Sequence, residues 1–281
     1  MKQEAESLVR ATRTLLSLSN NEDVFLAPSV LVALRLLFHE MGVTSVRLSR
    51  FEYFDRFHFP RRGTTRTNEP PRRNSATIWS PVSWNGYLQR APESNGYKVA
   101  DASHIGAAGF QASWRDQADV IAFDLGKWIA PAASAPNVVA IVTRRPSLRA
   151  PAKRAFAGLH LSMVAVRSGR REARWVDPQS VLEMARIVRA QDLTPRALAD
   201  RHQRNLLLAE RIATAAGVSR PTSSILLLPP RAAASIPSWL HAQGCVWELP
   251  TGQFRVVCRA DEQPISSVGA RRASARTNAE S

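Results

Sequence analysis

The chain has 281 residues and a mass of 31.0 kDa, which is enough for one large domain or for a medium domain with a small one. Apolar residues make up 44%, and no apolar run reaches the ~18 residues that a membrane-spanning helix needs. The N-terminus is polar and acidic, so we predict no secretory signal, and two cysteines are too few for a disulfide scaffold. We therefore expect a cytoplasmic protein with a hydrophobic core.

The net charge of +15 comes from 38 basic residues, of which only four are lysines. A basic surface attracts polyanions without specificity, so polyanion binding is one hypothesis for function, and it predicts steep salt dependence. The arginines are spread over the whole chain, however, and no helix-turn-helix, zinc-finger or RNA-recognition motif is present. We therefore do not expect nucleic acid as the partner.

Residues 1–170 alternate short apolar strands with helices and loops, which predicts an α/β domain with a mainly parallel sheet buried on both faces. Ser29 precedes the predicted helix over 30–40 and marks its start. A polar loop follows the predicted strand over 43–51. In chain order we predict a helix over 4–18, a strand over 23–26, a helix over 30–40, a strand over 43–51, the loop over 60–75, and strands over 76–82, 98–101, 118–123 and 138–143.

Residues 171–266 predict a smaller α+β domain, and residues 267–281 a disordered tail. The longest predicted helix of this domain, over 194–216, has Thr194 as N-cap, Pro195 at the first helical position and Gly217 just after its end. The predicted elements are helices over 178–189, 194–216 and 237–243, a strand over 224–228, and a hairpin of strands 246–249 and 253–257 that turns at Thr251-Gly252.

Three polar side chains follow predicted strands, where ligands of open α/β sheets bind. Asp101 ends one strand, His104 comes three residues later, and Lys127 follows the next strand. A lysine that is partly desolvated beside a buried strand can form a Schiff base, and a buried carboxylate can keep a pyridine nitrogen protonated. Structural roles stay open: Asp101 as a helix cap, Lys127 as a surface lysine, and His104 as a hydrogen-bonded, half-buried residue.

In their order these residues resemble the class V aminotransferase-like group of fold type I pyridoxal 5'-phosphate (PLP) enzymes, over about residues 21–261. That group includes cysteine desulfurases, kynureninase and hercynylcysteine sulfoxide lyase. The segment 118–131, Ala-Asp-Val-Ile-Ala-Phe-Asp-Leu-Gly-Lys-Trp-Ile-Ala-Pro, resembles its lysine signature, and Asp101-Ala102-Ser103-His104 resembles its Asp-x-Ala-His/Gln motif. The resemblance implies that Lys127 holds PLP as a Schiff base, that Asp101 pairs with the pyridine nitrogen and that His104 contacts the phenolic oxygen.

Four further segments resemble parts of the same site. The segment 24–29 resembles the strand and turn that hold the phosphate, which implies a role for Ser29. Phe51-Glu52-Tyr53 resembles the place of the stacking residue, and Tyr53 would stack on the ring or protonate a leaving group. Ser83-Trp84-Asn85-Gly86 resembles the loop that brings Asn85 near the ring. In Gly252-Gln253-Phe254-Arg255-Val256, Arg255 matches the arginine that binds the substrate carboxylate, a task that suits a fork-shaped guanidinium.

Three positions depart from the pattern. Asp124 stands where the group has a serine that contacts the phosphate, and a second anion beside a phosphate is unfavourable. Gly126 replaces a histidine or arginine, and Pro28 has no amide to donate in the phosphate turn. These changes concern the phosphate end of the site.

The resemblance implies an amino-acid substrate and a homodimer. A lyase that removes a β-substituent, as in C–S cleavage, is the leading prediction, and an aminotransferase is the next. Cys245 and Cys258 match packing residues better than a mobile persulfide acceptor, which disfavours desulfurase chemistry, and no histidine has metal-ligand spacing. The alternative is a catalytically inactive relative that acts as a dimeric scaffold or partner protein.

Overall fold

The structure, a computed structural model, describes residues 2–48, 74–110, 113–130, 136–157 and 176–260. Its helices and strands in chain order are α1 (Lys2–Leu15), β1 (Asp23–Ala27), α2 (Val30–Glu40), β2 (Ser45–Leu48), β3 (Ser75–Trp79), β4 (Tyr97–Asp101), β5 (Val120–Asp124), α3 (Gly126–Ile129), β6 (Val139–Thr143), α4 (Arg149–Ala157), α5 (Pro178–Ala190), α6 (Pro195–Ala215), β7 (Ile225–Leu228), α7 (Ser238–Ala242), β8 (Val246–Glu248) and β9 (Phe254–Val257).

Six strands form one sheet in the order β1-β6-β5-β4-β3-β2. Strands β2 to β5 are parallel to one another, whereas β6 is antiparallel to both of its neighbours, β1 and β5. Strand β1 therefore points the same way as β2 to β5, and the carboxyl ends of all five strands lie at one edge of the sheet. The predicted mainly parallel sheet is confirmed.

Helices cover both faces of this sheet. Side chains alternate between the two faces along each strand, and apolar side chains point to both. In β5, Val120 and Ala122 join the core formed with α2 and α4, whereas Ile121 and Phe123 join the core formed with α1 and α5. A strand that is buried on both faces has an apolar sequence throughout, and this is why the sequence predicted it correctly. The polar residue that ends β5, Asp124, consequently lies at the edge of the buried layer.

The second sheet has three antiparallel strands in the order β7-β9-β8. Helices α6 and α7 pack on one face of it through a third core, which includes both cysteines. Cys245 and Cys258 are fully buried there, which confirms them as packing residues. The Thr194 hydroxyl accepts the Ala197 amide hydrogen at 3.3 Å at the start of α6, as an N-cap does.

The second sheet is attached to the loops at the carboxyl edge of the first. The Ser224 amide donates to the Ala107 carbonyl at 3.0 Å, and the Ser223 hydroxyl donates to the Gly86 carbonyl at 2.8 Å. Ile225 and Val257 also join the core on the α1 and α5 side of the first sheet. These contacts bring β9 next to the loops that follow β3 and β4.

Several boundaries differ from the prediction. Strand β3 ends at Trp79 rather than at residue 82, because Pro81 has no amide to continue a ladder, and Val82 forms only an isolated bridge with Leu88. Helix α1 ends at Leu15, and Ser17 has a left-handed φ of 50°. The loop at 60–73, the domain boundary near residue 170 and the tail from 267 lie outside the described residues. Among the described helices, none is long and apolar enough to cross a membrane.

Candidate active site

Asp101 ends β4 at the carboxyl edge of the sheet, and its side chain is largely buried, at 8% exposure. One carboxylate oxygen, Oδ1, accepts the Ser103 amide hydrogen at 3.0 Å. The other oxygen, Oδ2, has no hydrogen-bond partner among the described residues. A buried carboxylate with one open oxygen is placed to accept a hydrogen from a ligand, since burying it without a partner is costly.

Asp124 and Lys127 meet at the end of the neighbouring strand, β5. Asp124 Oδ1 accepts the amide hydrogens of Gly126 at 3.0 Å and Lys127 at 3.3 Å, so this carboxylate opens the short helix α3. Lys127 Nζ lies 3.8 Å from Asp124 Oδ2, and the lysine side chain is 45% exposed. Burial raises the pKa of Asp124, and the charge of Asp101 acts in the same direction, against the opposing effect of Lys127.

Helix α3, which carries Lys127, is held in place by hydrogen bonds from side chains far along the chain to carbonyls at residues 127–130. Arg259 Nη1 donates to the Ala130 carbonyl at 2.7 Å and to the Lys127 carbonyl at 3.3 Å. Gln191 donates to the Ile129 carbonyl. A four-residue helix has no stability of its own, so these donors fix its position and thereby the base of the Lys127 side chain.

The ring of Trp128 joins α3 to the loop after β4. Its indole Nε1 donates to the Ser103 carbonyl at 2.7 Å. A Cβ atom added at Gly106 would lie 2.5 Å from Trp128 Cγ, so only glycine permits this close approach. The contact keeps the Lys127 segment at a fixed separation from the loop that carries Asp101 and His104.

His104 lies beside Arg255 and within electrostatic reach of Lys127. Its Nε2 is 3.5 Å from Arg255 Nη2. Burial, together with the positive charges of Lys127 and Arg255, lowers the pKa of His104 well below its ordinary value. The imidazole is therefore neutral at pH 7, with one ring nitrogen available as an acceptor.

Arg255, on β9, is 3% exposed, and its guanidinium contacts two tryptophan rings. Its Nε donates to the Trp84 carbonyl at 2.7 Å, and Cζ lies 4.7 Å from the Trp84 ring centroid and 5.0 Å from that of Trp247. Burial lowers its pKa to about 10, so it keeps its charge at neutral pH. Among the described residues no carboxylate pairs with Arg255, although buried charges normally have a counter-charge.

The remaining predicted site residues have different outcomes. Ser29 caps α2, where its hydroxyl accepts the Val32 amide hydrogen at 3.2 Å; it lies at the same sheet edge as Asp124, with β6 between their strands. Asn85 lies in the turn that also presents the Trp84 carbonyl to Arg255, with no described hydrogen bond to the other site residues. Tyr53 lies outside the described residues. No group of three His, Cys, Asp or Glu in the described part of the chain could hold a metal ion.

Sequence reasoning missed Trp84, Trp247 and Arg259 as residues of the site. The predicted hairpin did not place Trp247 beside Arg255, because a two-residue turn at Thr251-Gly252 would pair Trp247 with Val256, whereas the structure pairs it with Arg255. Trp84 and Arg259 had no local signal, since their contacts to Arg255 and α3 span 171 and more than 120 residues.

No protein-family profile matches this chain, and no curated protein matches its sequence. Many solved structures have a similar fold. The cystine C–S lyase C-DES, in complex with its product cysteine persulfide, superposes with a TM-score of 0.59 at 15% identity, over 96% of this chain and 86% of that one. A cysteine desulfurase from Thermococcus onnurineus NA1 has a TM-score of 0.59 at 11% identity, over 94% and 80%. YbdL from Escherichia coli, which has a methionine aminotransferase function, has a TM-score of 0.53 at 12% identity, over 91% and 79%.

These similarities establish the fold of the chain. It is that of the fold type I PLP-dependent enzymes, with a mostly parallel sheet, flanking helices and a small C-terminal sheet. At identities of 15% and below, they leave the reaction to be inferred from the site itself.

Proposed function

We propose that this chain is a PLP-dependent enzyme of the class V aminotransferase-like group that acts on an amino acid. The observation that carries the proposal is the grouping of Asp101, Lys127 and Arg255 around one edge of the sheet. Asp101 offers a carboxylate to the ring nitrogen of PLP, and Lys127 offers an amine to its aldehyde carbon. Arg255 offers a guanidinium to the substrate carboxylate.

The side chains around Asp101 fit the pyridine ring of PLP. The open Oδ2 of this buried carboxylate can accept the hydrogen of a protonated ring nitrogen. Lys127 extends from the neighbouring strand end and is exposed enough to reach a bound aldehyde. Neutral His104, on the loop that follows Asp101, can hydrogen-bond the phenolic oxygen.

The phosphate end fits less closely, although it retains donors. The amino-terminal turn of α2 lies at the same edge and can offer amide hydrogens and the positive end of its dipole to a phosphate. Asp124 brings an opposing negative charge, which its raised pKa and its pairing with Lys127 reduce. The residues present therefore fit PLP, with a weakened hold on the phosphate.

When bound, PLP supplies an electron sink for negative charge at the substrate α-carbon. Lys127 Nζ removes and returns the α-proton as general base and acid, and Asp124 Oδ2 orients it. Arg255 holds the substrate carboxylate and so fixes which bond at the α-carbon faces Lys127. Asp101 keeps the ring nitrogen protonated.

Loss of a β-substituent is the reaction we favour, with transamination second. C-DES, one of the similar structures, is a C–S lyase, and a variant of it carries glycine covalently linked to its PLP cofactor, whereas YbdL is an aminotransferase. Both cysteines of this chain are buried, so neither is accessible for persulfide transfer, and burial also raises the pKa of the Cys258 thiol. This supports a lyase that releases its sulfur product directly.

We further propose a cytoplasmic homodimer, as the class V resemblance implies. An inactive scaffold is the alternative. The retention of Lys127 favours an enzyme, because the chain contains only four lysines in all.

The proposal is tested by incubating the purified full-length protein with PLP and a panel of amino acids. Release of ammonia and a 2-oxo acid from substrates with a β-leaving group identifies a lyase, and amino transfer to an added 2-oxo acid identifies an aminotransferase. Activity that disappears in Lys127→Ala and persists in Lys153→Ala is the expected result. A folded protein that binds PLP and turns over no amino acid indicates a scaffold.

A further inference from the structure

Arg255 lies in the middle of a strip of side chains on one face of the small sheet. The strand register places Leu227 of β7 on one side of it and Trp247 of β8 on the other. Residues directly opposite in neighbouring strands point to the same face. The opposite face, with Leu226 and Val256, packs on α6 and α7, so the strip faces the carboxyl edge of the large sheet.

Trp247 is the exposed member of this strip. Its side chain is 44% exposed, although its ring lies only 5.0 Å from Arg255 Cζ. The cation–π contact stabilises the guanidinium but leaves its net charge without a counter-ion. A ligand carboxylate would supply that counter-ion, and Arg255 Nη1 has no hydrogen-bond partner among the described residues.

The short distance between the charge and the ring limits what the rest of the ligand can be. A carboxylate bound to a guanidinium has N–O distances of about 2.8 Å. The next atoms of the ligand then lie beside the indole of Trp247 and that of Trp84, whose centroid is 4.7 Å from Arg255 Cζ. The guanidinium lies over one face of each ring, and Trp247, at 44% exposure, keeps indole surface open beside the carboxylate site, which favours a planar, aromatic group over a polar one.

We propose that the substrate is an aromatic amino acid or a close relative, with its carboxylate on Arg255 and its ring against Trp247. The inference rests on the proposed function, since it assumes that Arg255 is the carboxylate site of this enzyme. Trp247 then selects among substrates without taking part in bond breaking.

The test uses carboxylates that cannot react, because they lack an amino group: phenylacetate, its saturated counterpart cyclohexylacetate, and acetate. Their binding to the full-length protein is measured by calorimetry with and without PLP. Phenylacetate is expected to bind about three- to tenfold more tightly than cyclohexylacetate, since aromatic pairs contribute beyond their buried area. Trp247→Ala is expected to remove this preference, and Trp247→Phe to retain most of it. Leu207→Ala, which removes another exposed apolar side chain from α6, is the matched control and is expected to keep it.

Equal binding of phenylacetate and cyclohexylacetate by the wild-type protein would overturn the proposal, and this comparison needs no variant to fold. A preference that survives in Trp247→Ala would also overturn it, as would a change in oligomeric mass in that variant without a change in binding. The aryl preference is independent of the cofactor. A protein that binds PLP at Lys127 but lacks the preference refutes this inference alone, whereas one that shows the preference but never binds PLP refutes the proposed function.

Discussion

Lys127 and Asp124 form an ion pair across one turn, with Nζ 3.8 Å from Oδ2, and the other oxygen of the same carboxylate accepts the amide hydrogens of the first two residues of α3. In the class V pattern that the sequence resembles, a serine stands at the position of Asp124, so this pair is a departure from that pattern. It ties the Lys127 amine to an anion that lies at the same sheet edge as the amino-terminal turn of α2.

The first prediction concerns the preference for phosphorylated cofactor. Asp124→Asn removes a negative charge that would repel the cofactor phosphate. The ratio of PLP affinity to pyridoxal affinity is expected to rise about three- to tenfold, which is the effect of one charge on another several ångströms away. Because burial raises the pKa of Asp124, its carboxyl is neutral at low pH. Wild type and variant should therefore converge at low pH and diverge as the pH rises through that pKa.

Equilibrium dialysis with PLP and with pyridoxal measures this ratio. Asp116→Asn is the matched control, because Asp116 is 72% exposed and pairs with Arg144 away from the site. An unchanged ratio in Asp124→Asn would mean that the carboxylate does not oppose the phosphate.

The second prediction concerns the protonation of His104. Its pKa in the folded protein is lowered by burial and by two cations, whereas the unfolded chain takes up a proton near the ordinary value of about 6.5. Below that value the unfolded state binds more protons than the native state, so this residue makes the free energy of unfolding fall as the pH drops.

Chemical denaturation at pH 7.5 and pH 5 checks the sign of this effect. His104→Gln is expected to lose less stability than the wild type over that interval. His39→Gln should behave like the wild type, since the His39 side chain is 86% exposed. An equal loss in His104→Gln and the wild type would refute a neutral His104.

The third prediction concerns Gly106 and the ring of Trp128. Gly106→Ala forces a Cβ to within 2.5 Å of Trp128 Cγ, and such overpacking typically lowers the free energy of unfolding by about 1–3 kcal/mol. It also displaces α3, so PLP binding should weaken.

Gly217→Ala serves as the control, because nothing lies within 4 Å of the added Cβ and only the strain of its positive φ remains. That strain costs about 1 kcal/mol and should leave PLP binding unchanged. Thermal unfolding and PLP titration of the two variants separate the effects. Normal PLP binding by Gly106→Ala would show that the contact does not position Lys127.

The fourth prediction concerns Arg255 as the carboxylate site. Arg255→Lys keeps a positive charge but loses the fork and the Nε contact to Trp84, so the KM of the carboxylate substrate should rise about tenfold or more. The corresponding amino-acid amide should be affected little.

Steady-state kinetics on an amino acid and its amide give this comparison. Arg231→Lys, an exposed arginine before α7, is the control and should match the wild type. Equal effects of Arg255→Lys on acid and amide would indicate a structural role only.

Local sequence patterns were enough for most elements and for the strand ends. The apolar runs of β4 and β5 and the cap signals of α2 and α6 depend on neighbouring residues, so their boundaries could be predicted within a few positions. Helix α4 could not, because Pro151 and its basic residues give no clear apolar period although Ala152 and Phe156 are buried.

The candidate site was predictable where it lies at strand ends and unpredictable where it depends on contacts across the fold. Asp101 ends β4, and Lys127 follows the end of the adjacent parallel strand β5, so topology alone brings them together. The donors of Arg259 to α3 and the ring of Trp84 beside Arg255 arise from the docking of the small sheet, which no local pattern encodes.

The attachment of PLP to Lys127 can be located by chemical reduction and peptide mapping. The protein is incubated with PLP, reduced with borohydride and digested, and the modified peptide is located by mass spectrometry. We expect the pyridoxyl mass on Lys127. It should be unchanged in Lys153→Ala, which removes an exposed lysine of α4, and absent in Lys127→Ala. Modification of Lys98 or Lys153 instead, or no modification of the folded protein at saturating PLP, would contradict the account.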